Sequence, residues 1–150
     1  MRYLLLLCLL TIAAGVKAQT AEDSVRAVVG NLFEAMHKSD SSAIVACFTS
    51  GGLLQSLDER TADIKVRTDS AAVFAHIIAG LPPESVDEKP RIDVVKVDGN
   101  LAMVWAPYNL YFHGKFYHCG VDSFQLVRIG GKWKIQYILD TEHKQGCAVN

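Results

Sequence analysis

Apolar residues recur at helical spacing in the segment that follows the N-terminal hydrophobic run. Thr20 and Asp23 have the spacing of a capping box, which predicts a helix that begins there and ends near Ser39. Its apolar stripe consists of Val25, Val28, Val29, Leu32, Phe33 and Met36. Asp40 is placed to cap a second, short helix that Gly51-Gly52 would end. The apolar face of this second helix consists of Ile44, Val45, Cys47 and Phe48.

The next part of the chain changes from a weak strand pattern to a third helical pattern. Residues 53–66 alternate weakly, which predicts one or two short strands. Asp69 is placed to cap a third helix, which must end at Pro82-Pro83 because proline cannot continue a helix. Its apolar stripe consists of Val73, Phe74, Ile77, Ile78 and Leu81. The polar stretch that follows, to Pro90, is predicted to be a connection from the helices to a sheet.

From Arg91 onward the pattern is that of strands. Apolar and polar residues alternate with a period of two, and three turn signals follow at hairpin spacing. The turns are predicted at Asp98-Gly99, His113-Gly114 and Gly130-Gly131. This spacing predicts four antiparallel strands in a meander. Together with the three helices, it predicts an α+β fold in which a curved antiparallel sheet packs against helices.

The predicted turns also assign faces to the strands, because two-residue turns fix the register and directly opposed residues share a face. The turn at 113–114 pairs Asn109 with His118 and Trp105 with Asp122. The face predicted to meet the helices carries Met103, Trp105, Asn109, Tyr111, Phe116, His118, Gly120, Asp122, Phe124, Leu126, Ile135, Tyr137 and Leu139. The opposite face includes Tyr108, Tyr117, Cys119, Gln125 and Asp140. Pro107 cannot donate to the ladder and marks a position where a bulge can shift residues across faces.

The predicted inward face combines large aromatic residues with a few polar groups. That composition is typical of an apolar pocket with convergent polar residues, although aromatic side chains also simply fill cores. His118 and Asp122 stand apart from the aromatics, because burial of either group without a partner costs free energy. Each therefore needs a protein partner, a water molecule or a ligand.

Composition adds a prediction of export. The chain has 150 residues, of which 50% are hydrophobic, enough for one domain. Arg2 precedes an apolar run that ends at Val16-Lys17-Ala18, where small residues occupy the positions that a signal peptidase reads. The run is interrupted too soon for a transmembrane helix. We therefore predict a signal peptide over residues 1–18 and a secreted or periplasmic domain over 19–150, with no membrane association after cleavage.

Charge and cysteine content narrow the classes of function. Without residues 1–18, 13 basic and 16 acidic residues remain, a formal charge of −3, and the basic residues are scattered. Nucleic-acid binding is therefore not predicted. Cys119 and Cys147 are the candidate disulfide pair, and Cys47 is predicted to be a helix-core thiol. His113, His118 and Cys119 lack usable zinc spacing, so neither a metal nor a cofactor is predicted.

Several stretches together resemble the nuclear transport factor 2-like superfamily. They are the end of the first helix at 35–40, the turn and strand at 98–102, the segment 118–124, and the closing segment 130–135 before Asp140-Thr141. More closely, the chain resembles small exported bacterial proteins of that fold, of the SnoaL-like and lumazine-binding type. The resemblance covers nearly all of residues 19–150. It implies a cone-shaped, cystatin-like roll with a pocket, and the fold hosts both enzymes and non-catalytic proteins.

Three functions remain open from the sequence. The first is non-catalytic binding of a small apolar or aromatic ligand, for which the candidate residues are Trp105, Asn109, Tyr111, Phe124 and Tyr137. The second is an isomerase or dehydratase with His118 or Asp122 as the catalytic base. These two residues stand four apart on one strand, about 13 Å, so they cannot form a direct dyad. The third is a homodimeric interaction module that pairs through the outer sheet face around Tyr108, Tyr117 and Gln125.

Overall fold

The computed structural model describes residues 19–58 and 63–147. The predicted signal peptide over 1–18 lies outside the described residues. Three helices form as the apolar patterns require: α1 (Ala21–His37), α2 (Ser41–Cys47) and α3 (Ala71–Ala79). The Thr20 hydroxyl accepts a hydrogen bond from the Asp23 backbone, and the Asp23 carboxylate accepts one from the Thr20 backbone, so the predicted capping box is present. No helix in the described part of the chain is long and apolar enough to cross a membrane.

A curved sheet packs against these helices. Within the described ranges it has seven strands, paired in the order β2-β1-β7-β6-β5-β3, with β4 also paired to β5. The strands are β1 (Phe48–Asp58), β2 (Lys65–Ser70), β3 (Val86–Pro90), β4 (Val94–Asp98), β5 (Leu101–Phe112), β6 (Lys115–Ile129) and β7 (Lys132–Thr141). The predicted α+β class and the meander β4-β5-β6-β7 are confirmed. The sheet is mixed rather than purely antiparallel, because β1 lies parallel to β7.

The helices differ from the sequence prediction in two places. Helix α2 ends at Cys47, and Phe48 and Gly51-Gly52 belong to β1 instead of ending the helix. Ser70, not Asp69, caps α3 by accepting a hydrogen bond from the Val73 backbone. The stripe predicted for α3 is wrong in part, since Ala71, Ala75 and Ile78 are buried and Val73 and Ile77 are about half exposed, at 47% and 53%. A nine-residue helix at the edge of the core buries only a narrow stripe.

Two β-bulges explain where the predicted faces are wrong. The turn at His113-Gly114 forms as predicted, with both residues at positive φ, and Tyr111 faces Phe116. Leu110 then faces His118, because Tyr117 is an extra residue in β6. A second shift on β7 leaves Leu126 opposite Ile135 and Phe124 opposite Ile138. The ladder runs without a break through Pro107, so the expected bulge there is absent.

The core therefore uses the residues of β5 that the sequence placed outside. Its fully buried members on the sheet include Val104, Phe124, Leu126 and Ile135, and α1 contributes Val25, Val29 and Leu32. Trp105 is 44% exposed on the other face. The first turn of the meander is also one residue later than predicted, since Asp98 pairs with Leu101 across Gly99-Asn100.

The chain after β7 folds back onto β6. The backbones of Cys119 and His143 exchange two hydrogen bonds, with N···O distances of 3.0 and 2.7 Å. Cys119 and Cys147 form a disulfide, with Cα atoms 5.8 Å apart, as the sequence suggested. Cys47 is a buried free thiol. The disulfide holds the tail beside β6, next to Glu142, which lines a cavity described below.

Candidate functional site

A cavity of about 370 Å³ lies between the concave face of the sheet and the helices. Its apolar wall comes from helices α1 and α3, with Phe124 and Ile138 from the sheet. The helical residues that line it are Leu32, Phe33, Met36, Phe74 and Ile78. The volume lies within the range of small-molecule sites, and the apolar wall is the predominant one.

The polar wall is a row of side chains across three neighbouring strands. Asp122 on β6 stands directly opposite Asp140 on β7, and Asp140 in turn is the partner of Ser56 on β1. All three residues line the cavity. Like charges directly opposed on a sheet repel each other, so this arrangement favours a proton on at least one of the two carboxyls. Asp122 is only 5% exposed.

Glu88 on β3 completes a carboxyl pair with Asp122. The two side chains are hydrogen-bonded to each other, which requires one of them to be protonated. Burial, followed by the charges of Glu88 and Asp140, raises the pKa of Asp122 well above its usual value. Burial also raises the pKa of Glu88, to about 8. We infer that Asp122 keeps its proton and donates it to Glu88, and that Glu88 loses its own proton only near pH 8.

Asp140 has a different environment. The Ser56 hydroxyl donates to Asp140 Oδ2 at 2.9 Å, and Arg67 Nη2 donates to the Ser56 Oγ at 3.2 Å. Burial raises the pKa of Asp140 to about 6, although the bond from Ser56 acts in the opposite direction. Asp140 therefore titrates near neutrality and is the most readily ionised carboxyl of the row.

His118 and Tyr108 form the other polar contact of the site. The Tyr108 hydroxyl donates to the Thr141 carbonyl at 3.0 Å and lies 3.3 Å from His118 Nε2. Because a carbonyl only accepts, the phenolic proton points to Thr141, and Nε2 of His118 is the donor to the Tyr108 oxygen. Burial lowers the pKa of His118 and raises that of Tyr108. Both side chains are therefore neutral near pH 7.

The predicted site residues divide between the two faces of the sheet. His118, Asp122 and Phe124 line the cavity, as the sequence predicted. Trp105, Asn109, Tyr111 and Tyr137 do not line it, so their predicted inward orientation is wrong. Tyr137 instead donates to Gln55 Oε1 at 2.6 Å, and Tyr111 packs on Phe116 and beneath the Lys89 ammonium. Because of the bulge at Tyr117, every β5 residue between 102 and 110 lies on the face opposite the predicted one.

Sequence reasoning missed Tyr108, Glu88, Asp140 and Glu142, all of which line the cavity. Tyr108 and Asp140 were placed outside because neither bulge was predicted. One signal for the second bulge exists in the sequence: the buried positions Trp133 and Ile135 are two apart, whereas the next, Ile138, is three further on. Glu88 was missed because β3 was interpreted as a polar connection.

The chemistry of the polar wall limits what it can hold. In the described ranges, no group of three or more histidine, cysteine, aspartate or glutamate side chains is arranged to hold a metal ion. The protonated carboxyls of Asp122 and Glu88 and the guanidinium of Arg67 give instead a site that donates and accepts hydrogen bonds. Such a wall orients the polar end of a ligand whose remainder lies against the helices.

The raised pKa values predict that stability falls as pH rises. Between the ordinary carboxyl pKa of about 4 and the folded value of about 8 for Glu88, the folded chain holds protons that the unfolded chain has lost. For each such proton, the free energy of unfolding falls by about 1.4 kcal/mol for every unit by which the pH rises. We expect urea denaturation at pH 5, 6, 7 and 8 to show this decline, and Asp122→Asn to make it shallower.

His118 acts in the opposite direction. Because its folded pKa is lowered, it makes the free energy of unfolding rise with pH near its ordinary pKa of 6.5. The difference between the wild type and Asp122→Asn cancels that contribution. Asp87→Asn serves as the control, since Asp87 is on β3 next to Glu88 and forms an ion pair with Lys89 at 3.3 Å. A wild-type stability that rises steadily from pH 5 to 8 would contradict the inferred protonation.

Comparison with known proteins gives a family and a fold. A family model described as "Putative lumazine-binding" matches residues 20–137. An NTF2-like protein of unknown function from Shewanella baltica is 20% identical, with a TM-score of 0.65 over 81% of this chain and 93% of that chain. A protein of unknown function with a cystatin-like fold from Nostoc punctiforme is 13% identical, with a TM-score of 0.66 over 86% of this chain and 97% of that chain. At these identities the solved structures show the fold alone. No match was found among curated proteins.

Proposed function

This chain belongs to the "Putative lumazine-binding" family of the nuclear transport factor 2-like superfamily, and on that premise we propose that it binds a small, largely apolar molecule in its cavity. The observation that carries the proposal is the cavity of about 370 Å³, with helical apolar residues on one side and the carboxyl row on the other. Apolar burial would provide affinity, and the carboxyls would fix the orientation of the ligand.

The composition of the cavity wall supports binding more than a packed core. In a packed core, Phe33, Phe74 and Phe124 would fill the space between helices and sheet. Here they line a cavity together with buried carboxyls. Protein interiors contain few voids larger than a water molecule, because empty space forfeits dispersion contacts. A cavity with polar groups on one wall is therefore better explained by ligand binding than by core packing.

Blocking the cavity tests this proposal. Leu110 is a half-buried residue of β5 that lines the cavity, and the larger side chain of Leu110→Trp would occupy part of it. We expect this variant to bind prodan, an uncharged aromatic dye, at least about tenfold more weakly than the wild type, since a loss of about 1.4 kcal/mol suffices. Fluorescence titration measures the affinity, and native mass spectrometry of protein purified from its own source would identify a retained ligand.

Met103→Trp is the matched control for Leu110→Trp. Met103 lies on the same strand, is likewise half-buried, and does not line the cavity. Its replacement should change the affinity for prodan less than about twofold, because additional bulk on the outer face leaves the cavity open. Equal weakening in both variants would indicate general destabilisation, and unchanged binding in both would count against the cavity as the site.

Proton transfer catalysis of the isomerase or dehydratase type is the second candidate. The observation that favours it is a buried carboxyl, Asp122, which would stay protonated at neutral pH beside Tyr108 and His118. Asp122 would then act as general acid, with Glu88 or Asp140 as base. Protein-dependent deuterium incorporation into a ketone at its α-carbon, lost in Asp122→Asn, would favour catalysis over binding alone.

Export and self-association remain proposals. The apolar segment before Lys17 supports a signal peptide, and the disulfide between Cys119 and Cys147 suits an oxidising compartment. The outer sheet face supports a homodimer through its exposed aromatic residue Trp105. Tyr108 and Tyr117, which the sequence assigned to that surface, line the cavity instead. Light scattering at high concentration tests the dimer.

A further inference from the structure

Two buried carboxyl oxygens in the cavity wall have no hydrogen-bond donor among the described residues. They are Oδ2 of Asp122 and Oδ1 of Asp140, and neither has a partner among the described residues. Both residues line the cavity and oppose each other across β6 and β7. A buried acceptor without a donor costs about 1 to 3 kcal/mol, more if it is charged. The pair is therefore suited to a ligand that carries hydrogen-bond donors.

The charge of the lining also points to one sign of ligand. Acidic side chains at the cavity are Asp69, Glu88, Asp122, Asp140 and Glu142, whereas Arg67 is the basic one in the described lining. Arg67 is 64% exposed and pairs with Asp69 at 3.3 Å, and its charge also acts on Asp140, but one cation does not balance five acidic groups. His118 is held neutral by burial, and Lys144 lies over the Tyr117 ring at 5.4 Å. Acidic groups therefore outnumber basic ones in the described lining.

Aromatic rings line the same cavity. Tyr108, Phe112 and Tyr117 line the cavity beside His118, and the Tyr117 and His118 ring centroids are 5.1 Å apart. Aromatic faces attract cations through their quadrupole, and aromatic rings combined with carboxylates form the usual environment of bound organic ammonium groups. An anionic ligand would meet repulsion here, and an uncharged one would leave the two acceptors with at most weak donors.

We propose that the ligand is a protonated organic amine, whose ammonium group donates to Asp122 and Asp140 while its apolar part lies against α1 and α3. This inference rests on the proposed binding function and specifies the class of ligand. The ammonium supplies the donors that both orphan oxygens lack, and charge-assisted bonds of this kind are stronger than neutral ones. Because a cation favours ionised carboxyls, binding near pH 7 should release up to about one proton from the shared set.

Three indole probes of similar size test the proposal by isothermal titration calorimetry at pH 7. Tryptamine carries an ammonium, tryptophol an alcohol and indole-3-acetate a carboxylate at the same place. We expect tryptamine to bind at least about tenfold more tightly than tryptophol, and indole-3-acetate to bind most weakly. Titration of tryptamine in two buffers of different ionisation enthalpy should report proton release.

Variants separate the carboxyl row from general acidity. Asp122→Asn with Asp140→Asn keeps the shape of both side chains and should abolish the preference for tryptamine, while tryptophol binding changes less than about threefold. Glu142→Gln, at a partly exposed position, provides a second variant that leaves the buried row intact and should weaken tryptamine binding to a smaller extent. Asp87→Asn, which removes one negative charge away from the cavity, should leave the preference unchanged.

The possible outcomes distinguish the amine proposal from the binding function. If tryptophol binds as tightly as tryptamine, or if the preference survives in the double variant, the amine proposal is wrong and the binding function stands. If prodan binds and none of the indoles does, the amine proposal is likewise wrong. If neither prodan nor any indole binds, the proposed binding function fails as well.

Discussion

Gly120→Ala is expected to lower the free energy of unfolding by about 3 kcal/mol or more, because a methyl group at this position has no space. A Cβ atom on Gly120 would lie 1.8 Å from the Thr141 carbonyl oxygen and 2.8 Å from the Tyr108 hydroxyl. The obstructing atom is backbone, so no side-chain rotation relieves the clash. The end of β7 would have to move away from β6, and the hydrogen bond from Tyr108 to Thr141 would be lost.

Chemical denaturation of the two proteins measures this difference, and Gly51→Ala is the control. Gly51 also lies in a strand, β1, but a Cβ there would have no atom within 4 Å. Its replacement should change stability by less than about 0.5 kcal/mol. A loss below about 1 kcal/mol in Gly120→Ala would show that β7 can shift cheaply, and the geometry inferred for Tyr108 and His118 would then be wrong.

The fold was predictable because its signals are local. Caps at Thr20 and Asp40 and positive-φ turns at His113-Gly114 and Gly130-Gly131 each depend on a few adjacent residues. These signals set the number and order of the main elements, and with them the α+β class. The parallel pairing of β1 with β7 has no such signal, since it joins segments about 80 residues apart.

The candidate site was predictable only on β6. His118, Asp122 and Phe124 lie on one strand beyond the bulge at Tyr117, with no shift between them, so their common face follows from the period of two. Their neighbours on β5 and β7 depend on pairing, and one extra residue reverses every face beyond it. On β5 both faces are apolar, with Met103 and Trp105 on one and the smaller Ala102 and Val104 on the other, so the hydrophobic pattern did not reveal the shifted register. Residue size alone does not decide which face is buried.

The polar edge of the site was hidden for a different reason. Strand β3 carries two acids, a lysine and a proline in five residues, which is the composition of a loop. It forms at the edge of the sheet, where Pro90 can be tolerated, and only Val86 is fully buried. Val86 and Glu88 share a face, so the strand that buries one apolar side chain also directs Glu88 into the cavity.

The disulfide between Cys119 and Cys147 is the second feature whose removal should have a large effect. It closes a loop with a sequence separation of 28 residues that contains β7 and most of β6. Loop-closure entropy for this length corresponds to about 3 to 4 kcal/mol at 25 °C. We expect Cys119→Ala combined with Cys147→Ala to lose about that much stability in chemical denaturation, and reduced wild-type protein to lose a similar amount.

Cys47→Ala is the control, because it removes a buried thiol without opening a cross-link. It should cost only about 1 kcal/mol through the lost packing of one sulfur atom. A double cysteine variant no less stable than Cys47→Ala would contradict the prediction.

The same disulfide should also affect the cavity. Glu142, which lines it, directly precedes the segment that the Cys119 and His143 backbones hold against β6. Without the cross-link, the tail keeps those two hydrogen bonds, the bonds to Thr141 and the contact of Lys144 with the Tyr117 ring. We therefore expect the double cysteine variant to bind tryptamine several-fold more weakly while its affinity for tryptophol changes less, since the released segment carries a negative charge of the binding wall. Equal weakening for both probes would instead indicate that the tail contributes shape rather than charge.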